Sequence, residues 1–326
     1  MTNIQPRKAK VVLIGKIPPP VGGVTIHVDR LIHQARKSMP IDFIPISIPS
    51  LVKLPYSLAV YKVIHLHASN PYLQALIAVL CGLMNRPLIL TIHRDFGALH
   101  SKAAKFAERV AVKYAAKTIV LNQTSYELAS NISARCEIIS SFIPPVMERE
   151  PKFSQEELSS IEELKSRSEI TFCTNAYKRC EDTLGVELYG IEECVEVFRN
   201  QPTLGLIILD PSETYQDYFS TQNTELPDNV LLFTGMHSFY RLVELCGGTI
   251  RNTSTDGDSL SVKESLYLEK ITLATDVVSR PEGTISYHRG QLENCLSAVI
   301  NGQYIHTSNN VLDGSIRLME IYKGYL

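Results

Sequence analysis

Short apolar runs rich in β-branched residues recur along the first half of the chain, each bounded by turn residues: KVVLIG (10–15), IDFIPIS (41–47), KVIHLHA (62–68), PLILTIH (87–93), KTIVLN (117–122) and CEIISSF (136–142). Between them, at about 23–37, 72–84, 101–116 and 123–131, apolar positions fall at helical spacing. Strand alternating with helix predicts parallel strands joined by crossover helices, a doubly wound sheet. The periodicity stops at FIPPVMEREPKFSQEE (142–157), where two prolines and a charged polar stretch predict a linker.

A second series follows: EITFCTNA (169–176), LGLIILD (204–210), NVLLFTG (229–235), GGTIRNT (247–253) and ITLATDVV (271–278), with helices at about 190–199, 238–245, 259–268, 289–301 and 314–324. The expected fold is therefore α/β, two doubly wound Rossmann-like domains (1–148 and 149–326) facing across a cleft, with ligands at the carboxyl ends of the strands. Whether the last helix stays with the second domain or packs back on the first is left open. A length of 326 residues suits two domains of about 150 each.

Composition narrows the class. With 44% hydrophobic and 20% charged residues the chain is neither disordered nor fibrous. The longest apolar run, LQALIAVLCGLM (73–84), falls well short of the roughly 20 residues a spanning helix needs, so it predicts a buried helix in a cytoplasmic protein. Seven cysteines (Cys81, Cys136, Cys173, Cys180, Cys194, Cys246 and Cys295) include no C-x2-C pair and read as reduced, structural thiols. The net charge of −2 hides an asymmetry: residues 1–150 carry 18 Lys and Arg against 8 Asp and Glu, residues 151–326 carry 14 against 26. The two halves are built for different partners.

Candidate chemistry sits where strands end. Gly22 and Gly23 precede the first helix, where they admit a phosphate or sugar to backbone N–H groups at a positive helix end, or simply make a strand-to-helix turn. The loop is not G-x-G-x-x-G, and G-x4-G-K-[ST] is absent, which removes support for a nicotinamide enzyme or a P-loop nucleotidase. His65 and His67 share one face of the third strand and read as a buried pair. His93 and Asp95 close the fourth. Lys102, Lys105, Arg109, Lys113 and Lys117 recur at helical spacing beside Phe106, Val110 and Tyr114, as a solvated face or as a dock for an anionic membrane.

RNTSTDGDSLSVKESL (251–266) puts Asp256, Gly257, Asp258 and Ser259 at a helix N-terminus, a site for an anion such as a diphosphate. Glu264, further along, suits the two hydroxyls of a ribose, because a carboxylate only accepts. The unit would grip a sugar nucleotide; the plainer reading is a capped helix with solvated acids.

These stretches resemble retaining family-4 glycosyltransferases of the GT-B fold. Asp256-x7-Glu264 is similar to the family's E-x7-E motif, PPPVGGVTIHVDRL to its first glycine loop, VIHLHAS and LILTIHRDF to its third and fourth strands, and YGIEECVEVF to the helix opening its donor domain. The resemblance runs over nearly the whole chain and is nearest to bacterial transferases of surface polysaccharide assembly. It implies transfer from a nucleotide-diphosphate sugar to a glycan, lipid-linked acceptor, with retention at the anomeric carbon. The donor would lie on the second domain and the acceptor on the first; His93 would contact the transferring sugar, with Asp95 orienting it or the acceptor. No metal or other cofactor is expected, although Asp256-x-Asp258 formally has a metal-site spacing, and nucleic acid is not an expected partner. The sequence departs from the family at Asp256, shorter than Glu, and at Tyr189 and Asn175, where a basic pair is expected; Lys178, Arg179, Arg251 or Arg280 stand as substitutes. Two alternatives remain: a sugar-nucleotide epimerase of the same fold, and a catalytically silent subunit of a polysaccharide assembly complex.

Overall fold

A computed structural model describes residues 10–47, 49–50, 54–182, 184–303 and 311–326. The chain divides into two compact units, Met1–Val146 with Leu312–Leu326, and Met147–Val311.

In the first unit β1 (Val11–Gly15), β2 (Ile41–Pro45), β3 (Val63–Leu66), β4 (Leu88–Thr91), β5 (Lys117–Val120) and β6 (Cys136–Ile138) form a parallel sheet in the order β2-β1-β3-β4-β5-β6. Its strands are apolar nearly throughout because helices cover both faces, leaving no polar side to alternate with. One face carries Val12, Ile14, Ile64, Leu66, Leu88 and Leu90 against α2 (Leu54–Val60), α3 (Pro71–Leu83) and α4 (Lys102–Tyr114). The other carries Val11, Leu13, Val63 and Ile89 against α1 (Gly23–Ser38) and the last helix, α12 (Gly314–Gly324). The short α5 (Gln123–Ser130) lies between β5 and β6, capped by Asn122.

The last helix thus belongs to the first unit. It buries Leu318, Met319, Ile321 and Tyr322, and at about 1.5–3 kcal/mol per buried side chain this face is a substantial part of the unit's stability. Its entry needs a residue without Cβ: a Cβ on Gly314 would stand 2.1 Å from the Ser140 carbonyl oxygen, while the Gly314 N–H donates to Phe142 O at 2.9 Å.

The second unit repeats the plan with β7 (Ile170–Asn175), β8 (Leu204–Asp210), β9 (Val230–Thr234), β10 (Gly248–Arg251), β11 (Ile271–Thr275) and β12 (Ile285–Tyr287), all parallel in the order β12-β11-β10-β7-β8-β9. Around it run α6 (Gln155–Ser166), α7 (Ile191–Arg199), α8 (Thr214–Thr221), α9 (Phe239–Leu245), α10 (Leu260–Tyr267) and α11 (Leu292–Ile300). Apolar residues cover both faces. The α/β, doubly wound fold expected from the sequence is the fold observed.

Several expectations are corrected. The stretch taken as linker runs into α6, which Ser154 and Glu157 open with a reciprocal capping box. Neither α2, α8 nor β12 is anticipated by the sequence pattern. The run 73–84 is not a fully buried helix: Gln74, Ile77, Ala78 and Cys81 face the core, whereas Leu76 and Leu83 are exposed. Lys117 leaves the basic helical stripe, since α4 ends at Tyr114 and Lys117 opens β5 in an ion pair with Glu137. Lys102, Lys105, Arg109 and Lys113 stay together, exposed on α4 beside exposed Phe106 and Tyr114. The seven cysteines are free thiols, and all but Cys180 are buried. Among the described residues no helix is long and apolar enough to cross a membrane.

Candidate functional site

In an open parallel sheet the loops part at the strand pair where the order reverses, leaving a crevice at their carboxyl ends. In the first sheet that pair is β1 and β3; in the second it is β7 and β10.

At the first switch point four histidines gather. His65, inside β3, is fully buried, with Nδ1 2.5 Å from the Tyr322 hydroxyl and Nε2 2.8 Å from Thr91 Oγ1. Its ring packs 4.1 Å from that of His67, two residues on and on the same face. His67 Nδ1 lies 2.9 Å from His93 Nε2, one proton serving both. His27, from the second turn of α1, joins them with Nδ1 2.7 Å from Ser141 O. Burial, and then the neighbouring rings, hold the pKa values of His65, His67 and His93 well below that of an ordinary imidazole, so these three are neutral at pH 7.

Around this cluster, Gly22 caps α1 in extended conformation, its N–H donating to Thr25 Oγ1 at 3.0 Å, and a Cβ on Gly23 would meet nothing within 4 Å. The approach to the helix end is open. Asp95 accepts from Asn122 Nδ2 at 2.7 Å. The loop after β4 is pinned from below by buried Glu108, which takes the Arg94 guanidinium at 2.7 Å and the Gly97 N–H at 3.0 Å.

The second switch point is charged. Arg251, the last residue of β10, forks onto Asp256, with Nε to Oδ2 at 3.1 Å and Nη2 to Oδ1 at 2.9 Å. Arg280 reaches the same carboxylate, Nη1 to Oδ2 at 2.7 Å, and is itself fixed by Nε to Thr275 O at 2.8 Å. The Asp256 side chain is only 5% exposed. Burial opposes its ionisation, but the two guanidiniums outweigh burial and hold its pKa below the usual carboxylate value. Tyr189 lies under Arg251, its ring centroid 5.3 Å from Cζ. Asp256 also accepts from the Gly257 N–H at 3.1 Å.

Further along this loop Asp258 pairs with Lys263 at 2.5 Å, and Ser259 caps α10, its hydroxyl 3.0 Å from that of Ser261. Glu264 is 3% exposed on the second turn of α10. Lys178 is exposed on the loop after β7. Arg179, beside it, is turned to Glu192 at 2.8 Å and stacked 4.0 Å over Tyr218, which commits it to the α7 and α8 side. Of the cations proposed from sequence, Arg251 and Arg280 converge and Arg179 does not join them.

A polar network beneath this loop escapes sequence reasoning. Asn252, fully buried after β10, donates to Gly190 O at 3.2 Å and Glu193 Oε2 at 3.0 Å, and accepts from Tyr287 OH at 3.0 Å. Arg289 joins through Glu193 Oε2 at 3.2 Å and Glu187 O at 2.8 Å. Gly190, at φ +66°, is the N-cap of α7, and a Cβ there would stand 2.1 Å from Asn252 O. His27 is likewise missed; in sequence it is one more position of an amphipathic helix.

No family model matches the chain, and no curated protein does. Solved structures do. Over 97% of this chain and 100% of that one, it superposes on Anabaena Alr3699/HepE in complex with UDP and glucose, with a TM-score of 0.68 and 12% identity. A glycosyltransferase from Rickettsia africae gives a TM-score of 0.64 at 11% identity, covering 97% and 98% of the two chains. The UDP-GlcNAc 2-epimerase from Methanocaldococcus jannaschii gives 0.62 at 8% identity, covering 96% and 99%. The fold is that of the GT-B glycosyltransferases, two six-stranded parallel sheets with flanking helices.

Proposed function

We propose that this chain is a glycosyltransferase that takes a sugar from a nucleotide-diphosphate donor, with UDP as the nucleotide, and delivers it with retention to a glycan, lipid-linked acceptor in surface polysaccharide assembly. The observation that carries the reading is the arginine pair at the switch point of the second sheet, Arg251 and Arg280, beside the N-terminus of α10. Departure of a diphosphate is the main electrostatic demand of this chemistry, and fixed cations and helix N–H groups meet it. That solved neighbours of this fold hold UDP supports the choice of base.

On this reading the second unit holds the donor through Gly257, Asp258, Ser259 and the arginine pair, and Glu264 takes the ribose hydroxyls. The first unit holds the acceptor, with Gly22, Gly23, His93 and Asp95 at its switch point. The exposed face of α4, with Lys102, Lys105, Arg109 and Lys113 around Phe106 (69% exposed), continues onto α3, against which it packs, with Tyr72, Leu76 and Leu83 (79%). Cations interleaved with apolar rings suit the inner leaflet of an anionic membrane, where a lipid-linked acceptor resides.

The test is calorimetric titration and thermal shift with UDP, GDP and ADP, on the wild type and on Glu264→Ala. UDP at 100 times its dissociation constant stabilises the native state by about 2.7 kcal/mol. The reading requires that shift in the wild type and its loss in Glu264→Ala; absence of any nucleotide-diphosphate effect overturns it. An epimerase is the second reading, since one shares the fold. Conversion of UDP-sugar without an acceptor would select it.

A further inference from the structure

Three of the four histidines above the first sheet come from three different elements, His27 from α1, His67 from the end of β3 and His93 from the end of β4. Their ring centroids form a nearly equilateral triangle with sides of 5.3, 5.0 and 5.2 Å. One nitrogen from each ring lies within 4.8 Å of the other two. We propose that His27, His67 and His93 bind a borderline transition-metal ion of the Zn2+ or Co2+ class, three imidazole nitrogens serving as ligands with a fourth position left open.

The donor set carries the argument. Ser141 O can only accept, so His27 Nδ1 bears the proton and its Nε2 bears the lone pair. A ligating histidine is held in this way, its other ring N–H given to a backbone carbonyl that fixes tautomer and ring orientation. His67 Nδ1 and His93 Nε2 face each other at 2.9 Å, and both turn a lone pair to one ion once the proton between them moves to the other nitrogen of its ring. His65 is no ligand, since Tyr322 and Thr91 occupy both its nitrogens; it is the wall against which His67 is set.

Size and softness follow. Zn–N bonds of about 2.0–2.1 Å place neighbouring tetrahedral donors about 3.3 Å apart; His67 and His93 stand at 2.9 Å, and the whole set, within 4.8 Å, has to draw together as the ion enters. A set of imidazoles alone suits Zn2+ or Co2+ and not Mg2+ or Ca2+, which take oxygen. Three protein ligands and one open place is the count of a site that exchanges its fourth ligand.

The test uses the full chain without a histidine tag, stripped with chelator and titrated with Co2+. A visible d–d band of four-coordinate intensity, saturating at one equivalent and displaced by Zn2+, is the expected result, with affinity at least tenfold weaker in His27→Gln and in His67→Gln. No band, or a band that persists in the double variant, overturns the proposal. Should far-UV circular dichroism show that these variants do not fold, His93→Gln replaces them, His93 being the least buried of the three residues. In it the Zn2+-dependent rise in wild-type melting temperature should vanish, and a rise that remains refutes the site.

Discussion

Replacing Asp256 by Asn takes away the one negative charge that two guanidiniums share. The carboxylate is 5% exposed and receives three charge-assisted hydrogen bonds, at 3.1 and 2.9 Å from Arg251 and 2.7 Å from Arg280. Removing one partner of a buried ion pair costs about 3–5 kcal/mol, chiefly because the other charge is stranded. Here Arg280 keeps its bond to Thr275 O, and Asn still offers one acceptor, which places the loss near the lower end, about 3 kcal/mol. In a unit of this size that is a fall of roughly 6–12 °C in melting temperature. The pH dependence carries a definite sign. The folded pKa of Asp256 is depressed, so its stabilisation is complete above the unfolded value of about 3.9 and is lost as pH falls through the folded value. Urea denaturation of both proteins from pH 8 to pH 3 should therefore show a constant gap down to about pH 5 that narrows below about pH 4. A gap under about 0.5 kcal/mol at pH 7, the size of an ordinary surface substitution, or one that does not narrow in acid, refutes the clamp.

Gly190→Ala forces a side chain into left-handed backbone and against Asn252 O, and should cost at least about 2 kcal/mol by chemical denaturation; wild-type stability would mean that α7 does not approach the end of β10 so closely. Tyr322→Phe leaves buried His65 Nδ1 without its hydroxyl and should destabilise the protein by about 1–3 kcal/mol, with UDP affinity unchanged if the nucleotide sits on the second unit. Reversing charge at Lys105 and Arg109 to Glu should abolish sedimentation with phosphatidylserine vesicles at low salt; equal binding by the variant would remove the membrane role from α4.

The strands were legible because sheets covered on both faces demand unbroken apolar runs, as in VVLIG and LGLIILD, and such runs need no partner to be recognised. Elements of about two turns or less, α2 and α8, carry too few positions for a period to emerge, and β12 is three residues at a sheet edge. The opening of α6 was marked by Ser154 and Glu157, a signature overshadowed by the preceding prolines. Lys117 misled for another reason: Ala115, Ala116 and Lys117 favour a helix by propensity, but pairing with Ile89 of β4 draws Lys117 into the sheet. At the site, single residues at strand ends could be picked out, yet their partners could not. Arg280 lies 24 residues from the Asp256 it holds, and His27 meets His67 and His93 only after two crossovers.

The two switch points differ in charge, and the difference constrains what each can receive. Neutral imidazoles line the first, where a multiply charged anion would find no counter-charge within the cluster unless a cation is bound there. The second stores two guanidiniums against one carboxylate, a net positive centre at a strand end next to a helix N-terminus. Buried cations are not left uncompensated, because stranding them costs several kcal/mol, and Asp256 supplies the compensation. On the transferase reading the diphosphate then competes with Asp256 for the same N–H groups, so stability of the empty site is gained at the expense of donor affinity. UDP should accordingly stabilise Asp256→Asn by more than it stabilises the wild type. An equal or smaller gain would mean that the arginines remain on Asp256 when nucleotide binds, and that the N-terminus of α10 meets the diphosphate without them.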